Sequence, residues 1–148
     1  MTPPAHSVVE AERQHIRERL RRIVVDHRAL RAAIADGFGS DFDAARWTAA
    51  FESDGPEDVN AVAPIVSAFE RIVNGLVEAA RSGLVASGID RPGRTPDTVP
   101  ADLQRVRDDG GLTAGELELL IDLSRTRNQL QHTYIDVSAP MPARRFAG

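Results

Sequence analysis

The chain has 148 residues, of which 42% are apolar; its formal net charge is −4, and it contains no cysteine. This length and composition predict one globular domain that buries its own core. The absence of cysteine excludes a disulfide framework and a thiolate metal site. With this acidic balance the domain as a whole lacks the basic footprint of a sequence-independent nucleic-acid binder. The charge is unevenly spread, however, and the segment 125–148 is locally basic, with four arginines and one acid.

The chain ends carry no targeting or membrane signal. Residues 1–6 include neither a basic region nor an apolar run, so they are not a signal peptide and are predicted to be a disordered N-terminus. No apolar run approaches the length of a membrane span. We therefore expect a cytoplasmic protein without a membrane partner, with one domain over residues 1–148 and a C-terminal tail over residues 138–148.

Helical periodicity dominates the first half of the chain. A helix is predicted over residues 7–35, ended by Gly37 and Gly39, with apolar residues at helical spacing: Ile16, Leu20, Ile23, Leu30 and Ile34. Residues 40–55 contain Trp47 and Phe51, and a short helix there would lay both rings on the core. A second long helix is predicted from about Glu57, with Pro64 either kinking it or marking its true first turn. Its buried stripe is predicted to comprise Val62, Val66, Phe69, Ile72, Val73, Leu76, Val77, Ala80 and Leu84.

The second half contains a loop and two further helices. Residues 88–100 are rich in proline and glycine and predict a loop, and residues 101–109 predict a short helix. The last helix is predicted to start at a capping box formed by Thr113 and Glu116 and to run to about Ile135. No alternating strand pattern is present. The predicted fold class is all-α, a bundle of four main helices with short connecting helices.

One face of the last helix changes from apolar to polar halfway along. At about 100° per residue, Arg127 lies on the same arc as Leu120, Leu130 and Tyr134, with Ser124 and Gln131 beside it. An unpaired charge on a core face is costly, so it needs a reason. We expect the second half of this helix to line a groove or a subunit interface.

Chemistry is concentrated in the segment 127–134 of this helix. Arginine binds phosphate bidentately, and histidine exchanges protons near neutral pH. Arg127 and His132 would flank the groove, and Asn128 lies four residues before His132, within reach of it. These groups suit cleavage of a phosphodiester whose substrate supplies its own nucleophile, as the RNA 2′-hydroxyl does, and no metal site is predicted.

The spacing between Arg127 and His132 is weak evidence by itself. In a chain of this composition, chance alone is expected to produce about half of one arginine–histidine pair at this spacing. The first helix indeed repeats the spacing, at Arg22 and His27. We interpret that second match as a solvated arginine and a stripe or interface histidine. Asn128 and Tyr134 make the later match more specific.

The extended pattern Arg127-Asn128, three residues, His132, one residue, Tyr134 resembles the HEPN superfamily, and within it the HepT-like toxins. The similarity covers residues 96–137, whereas the two long N-terminal helices agree only in pattern. The resemblance implies a HEPN-like helical bundle and a metal-independent endoribonuclease without a cofactor, acting on tRNA or mRNA. Arg127 would hold the scissile phosphate, His132 would be the acid or base, and Asn128 would orient the phosphate or His132.

The same resemblance implies partners and regulation. Family members are homodimers whose two motifs meet across one cleft. HepT-like toxins pair with a small nucleotidyltransferase antitoxin of the MNT type, which transfers AMP from ATP to the motif tyrosine, here Tyr134, and silences the enzyme. A bulky anion there would fill the cleft and repel RNA.

Simpler alternatives stay open for each residue. Arg127 and His132 could form an ordinary salt-bridged helix surface, Asn128 could be a surface amide, and Tyr134 could be a core or interface ring. For the whole chain the alternative is a non-catalytic HEPN helical module that binds a nucleotidyltransferase or RNA.

Overall fold

The computed structural model describes the backbone of residues 6–88 and 98–138 and the side chains of residues 7–88 and 98–132. Within these ranges the chain is helical and contains no strand, which confirms the all-α prediction. Three helices are long and two are short, where the sequence predicts four main helices. The elements are α1 (His6–Phe38), a 3₁₀ turn (Gly39–Asp41), α2 (Ala44–Glu52), α3 (Pro56–Ala86), α4 (Val99–Asp108) and α5 (Ala114–Ser138).

Helices α1 and α3 form a long antiparallel hairpin. A Cβ placed on Gly37 would lie 3.1 Å from the Cβ of Ala61, and one on Gly75 would lie 2.9 Å from Cγ1 of Ile23. The two pairs run in opposite directions along the chain, so the helices are antiparallel. At both levels the missing glycine side chain allows the backbones to approach closely.

The first core cluster lies at the end of the hairpin that α2 covers. Its buried residues are Phe38, Ala50, Val62, Ile65 and Val66. Trp47 packs against this cluster and stacks on Phe51, with ring centroids 5.6 Å apart. Residues 44–52 are therefore a short helix that places both aromatic rings on the core, as the sequence predicts.

The second core cluster joins α3, α4 and α5. Its buried residues are Val73, Val77, Val99, Leu103 and Leu117. Because α3 contacts all four other helices, it is the centre of the bundle and is buried on more than one side. The buried set therefore differs from the single predicted stripe. Ile65 and Ala68 are also buried, whereas four residues of that stripe are only partly buried: Phe69, Ile72, Leu76 and Ala80.

The observed helix ends differ in part from the predicted ones. Gly37 lies within α1, which ends at Phe38, and Gly39 then adopts a positive φ of 58°. Pro56 occupies the first turn of α3, so Pro64 lies inside that helix and does not mark its start.

The capping box of α5 is confirmed. The Thr113 hydroxyl accepts a hydrogen bond from the Glu116 backbone N–H at 3.1 Å, and the Glu116 carboxylate accepts one from the Thr113 N–H at 3.0 Å. These bonds satisfy two backbone donors that a helix start leaves unpaired. They also define the first turn of α5.

The apolar stripe of α1 is only partly buried. Leu30 and Ile34 pack against the first cluster, whereas Leu20 is 49% exposed. The physical reason is that α1 packs chiefly on α3, and one neighbour covers a narrower arc than the stripe occupies.

Some of the predicted segments lie outside the described residues. They are residues 1–5 of the predicted N-terminal segment, residues 89–97 of the predicted loop and residues 139–148 of the predicted tail. Among the described helices, none is long and apolar enough to cross a membrane.

Candidate functional site

The inward face of α5 changes character along its length. Leu117 is buried in the second core cluster, Ser124 is 5% exposed, and Arg127 is 7% exposed. The Ser124 hydroxyl has no hydrogen-bond partner in the described part of the chain. The predicted change from apolar packing to buried polar groups is therefore present, and a guanidinium occupies the core side of the helix.

Neutral amides hold the Arg127 guanidinium. Its Nη1 donates to Oδ1 of Asn74 at 2.5 Å, and its Nε and Nη2 donate to Oδ1 of Asn128 at 3.2 and 3.0 Å. No carboxylate of the described residues lies within 4.0 Å of it. The hydrogen bonds satisfy some of the guanidinium N–H donors but leave the positive charge uncompensated. Among the described residues, Arg127 therefore does not form the salt bridge that the simpler alternative requires.

The electrostatic surroundings disfavour the charge on Arg127. Burial lowers the pKa of its guanidinium, the positive charge of Arg81 lowers it further, and Glu70 raises it in part. The group still carries its proton at neutral pH, because an arginine pKa lies far above that range. A buried cation without a carboxylate partner attracts an anion that reaches it.

Arg81, the second buried arginine, has a different environment. Its Nε donates to Oδ2 of Asp102 at 2.8 Å, and both side chains are at most 10% exposed. Glu78 lies 3.7 Å away, and Thr98 accepts a further hydrogen bond at 3.1 Å. Arg81 therefore joins α3 to α4 through a compensated ion pair.

An open polar pocket lies between α3, α4 and α5. Its volume is about 270 Å³, and its lining residues are Asn74, Val77, Glu78, Arg81, Val99, Arg127, Asn128 and Gln131. Besides the Arg127 guanidinium, four lining side chains carry amide or guanidinium N–H donors: Asn74, Arg81, Asn128 and Gln131. The pocket suits a phosphate-bearing group with several oxygen acceptors.

The structure brings together only some of the predicted site residues. Arg127 and Asn128 both line the pocket, and Asn128 orients Arg127 rather than His132. His132 is exposed, is not among the residues lining the pocket and makes no hydrogen bond within the described part of the chain. The side chain of Tyr134 lies outside the described residues, so its predicted modification is not located here.

Two residues of this pocket escape the sequence reasoning. Arg81 continues the row of Val73 and Val77 on α3, and a charge in an apolar row is a usable signal. Asn74 gives no local signal, because its importance comes from Arg127, 53 positions away in the chain. Only the packing of α5 against α3 identifies it.

The second Arg-x4-His match forms no comparable site. Arg22 and His27 are both exposed on α1, so neither side chain needs a partner to offset burial. No group of three or more His, Asp or Glu side chains among the described residues is placed to hold a metal ion.

Comparisons with protein-family models, curated proteins and solved structures give no match to this chain.

Proposed function

We propose that this chain is a metal-independent endoribonuclease of the HEPN type, the toxin of a toxin–antitoxin pair. The observation that carries the proposal is the charge of Arg127. It is buried, is held by two neutral amides at an open pocket, and has no carboxylate partner in the described part of the chain. Such a residue binds an anion readily, and it lies in the same motif as Asn128, His132 and Tyr134.

In the proposed reaction Arg127 holds the non-bridging oxygens of the scissile phosphate. The RNA 2′-oxygen attacks phosphorus as a base removes its proton, and the bond from phosphorus to the 5′-oxygen breaks. That oxygen takes a proton and leaves as a 5′-hydroxyl, while the other product ends in a 2′,3′-cyclic phosphate. His132 supplies one of the two proton transfers, and Arg127 stabilises the charge that develops on the phosphate.

A homodimer completes this site. Arg127 and His132 are five residues apart, which separates them by about 140° around α5. Arg127 faces the pocket of its own chain, whereas His132 points to solvent. In the homodimer, His132 of a second copy reaches the RNA phosphate that Arg127 of the first copy binds.

Regulation in this proposal acts through Tyr134. An MNT-type nucleotidyltransferase antitoxin transfers AMP from ATP to the phenolic oxygen, and pyrophosphate leaves. The added phosphate is an anion two residues from His132, so it competes with RNA for the cationic cleft.

A second candidate function is a non-catalytic HEPN module that binds RNA or a nucleotidyltransferase. The exposure of His132 and its absence from the Arg127 pocket favour this alternative. An anion held by Arg127 without an adjacent proton donor or acceptor would be bound and not cleaved.

The deciding experiment is an RNA cleavage assay in EDTA with total tRNA and a structured mRNA. Wild type, Arg127→Ala and His132→Ala are compared with two matched controls, Arg125→Ala and His27→Ala. Arg125 is on the same helix, and 73% of its side chain is exposed. His27 belongs to the other Arg-x4-His match.

Cleavage by wild type and both controls, but by neither motif variant, supports the nuclease, and the products must end in cyclic phosphate. Salt above physiological concentration is expected to slow cleavage by screening phosphate contacts. Full cleavage by His132→Ala would overturn its catalytic role. No cleavage by a wild type whose intact mass excludes added AMP would favour the binding module.

A further inference from the structure

A second polar surface, the α1–α3 groove, lies between α1 and α3. Its volume is about 440 Å³, and its lining residues are His15, Glu18, Arg19, Arg22, Ile23, Asp26, Arg71, Asn74 and Gly75. Gly75 allows α1 to approach α3 closely at Ile23, so the floor of the groove is fixed by close packing. The rims carry the charged side chains.

The acidic residues of the groove are already engaged. Asp26 is 5% exposed and accepts a hydrogen bond from Nε of Arg71 at 3.1 Å. Glu18 accepts one from the Gln14 amide at 3.2 Å. Arg71 therefore offsets the charge of Asp26, whereas Glu18 keeps its charge because its partner is neutral. The three arginines of the groove exceed its two acids by one positive charge.

Arg19 and Arg22 remain as cations without an acidic partner. Neither has a carboxylate of the described residues within 4.0 Å, and the recorded bond of Arg19 is to Nε2 of His15, at 3.2 Å. They belong to a basic segment, residues 13–22, which contains five arginines and one acid. The acidic net charge of the whole chain hides this concentration.

Asn74 joins the groove to the Arg127 pocket. It lines both, and its Oδ1 accepts the hydrogen bond from Arg127. Along α3, Arg71 in the groove and Arg81 in the pocket are ten residues apart, or about 15 Å. That length matches about four nucleotide steps at the spacing of stacked bases.

We propose that the α1–α3 groove holds the single RNA strand that enters the Arg127 pocket, through phosphate contacts of Arg19 and Arg22. The inference rests on the proposed function and extends it to a substrate-binding surface. Its lining contains no Phe, Tyr or Trp, and Nε2 of its one imidazole, His15, already accepts a hydrogen bond from Arg19. The groove therefore contacts chiefly the RNA backbone and accepts strands of any sequence.

The test compares wild type with Arg19→Ala/Arg22→Ala. The matched control is Arg17→Ala/Arg21→Ala, which removes the same charge from the same helix at exposed positions outside the groove. Binding is measured by fluorescence anisotropy with a short labelled 2′-O-methyl RNA strand. This probe lacks the 2′-hydroxyl nucleophile, so affinity is measured whether or not the protein is a nuclease.

We expect the groove variant to bind about 25-fold more weakly at 0.1 M salt and to lower the slope of log affinity against log salt concentration by about 1.4, as two lost phosphate contacts predict. The control variant should lose much less RNA affinity than the groove variant. Circular dichroism should be unchanged in both. Cleavage of a dinucleotide should be unaffected, whereas KM for a long RNA should rise.

The outcomes separate this inference from the proposed function. Cleavage by wild type with equal RNA affinity in groove and control variants would overturn the groove and leave the nuclease intact. Selective loss of binding without any cleavage would support the groove and overturn the nuclease. A groove variant that keeps RNA affinity but changes its mass in light scattering would assign the surface to contact between copies of the chain.

Discussion

Replacing each of the two buried arginines by methionine should have opposite consequences. Arg81 and Arg127 line the same pocket and are 8% and 7% exposed. Arg81→Met would leave Asp102 as an unpaired carboxylate at 4% exposure. Removing one partner of a buried ion pair costs about 3–5 kcal/mol. For a domain of this size that lowers Tm by roughly 10 °C.

Arg127→Met leaves no such charge behind. The two amides that lose their donor, on Asn74 and Asn128, are both exposed enough for water to replace it. The variant also removes a cation whose pKa is lowered by burial, and a lowered pKa in a basic group means that the folded state disfavours its charged form. We expect its stability to stay within about 1 kcal/mol of wild type or to rise.

Urea unfolding followed by circular dichroism measures both changes, with RNA cleavage measured on the same samples. The variant Arg81→Met/Asp102→Leu should recover most of the lost stability, because the unpaired charge is gone. Sulfate should raise the Tm of wild type more than that of Arg127→Met, beyond its general stabilising effect. Equal destabilisation by Arg127→Met and Arg81→Met would contradict a binding role for Arg127, because Arg127 would then be a structural anchor.

Three further predictions follow from individual contacts. Asn74→Asp gives Arg127 a carboxylate partner, so it should stabilise the fold while weakening RNA affinity, measured by urea unfolding and anisotropy; unchanged affinity would contradict the role of the uncompensated charge. Thr113→Ala removes a helix cap and should cost about 1 kcal/mol in urea unfolding. The backbone N–H of Thr113 and then its hydroxyl lower the pKa of Glu116, so the stabilisation by this carboxylate is present at neutral pH and is lost as acid protonates it. The stability difference between wild type and Glu116→Ala should therefore shrink in an acid titration. Gly75→Ala places a Cβ 2.9 Å from a side-chain carbon of α1 and should cost about 1–3 kcal/mol in thermal melts; an unchanged Tm would show that α1 adjusts freely.

Local sequence features predicted most of the helices. The capping box at Thr113 and the apolar rows of α3 and α5 depend on neighbours three and four residues apart, so they are visible in the sequence. The short helix with Trp47 and Phe51 was predicted for the same reason. Two helix boundaries differ from the predicted ones. Glycine permits a helix end without requiring one, so α1 continues through Gly37, and Pro56 rather than Pro64 occupies the first turn of α3.

Some features of the candidate site are likewise visible in the sequence, whereas others depend on how the helices pack. The position of Arg127 on the core side of α5 is predictable from the sequence, because it follows from register within one helix. It did not determine that Asn74 holds this arginine, that Arg81 is neutralised by Asp102, or that His132 lies outside the pocket. Each of these depends on which helices pack together and at what depth. Burial and pairing of charges arise from contacts between segments that are distant in the chain, so they become visible only once the helices are packed.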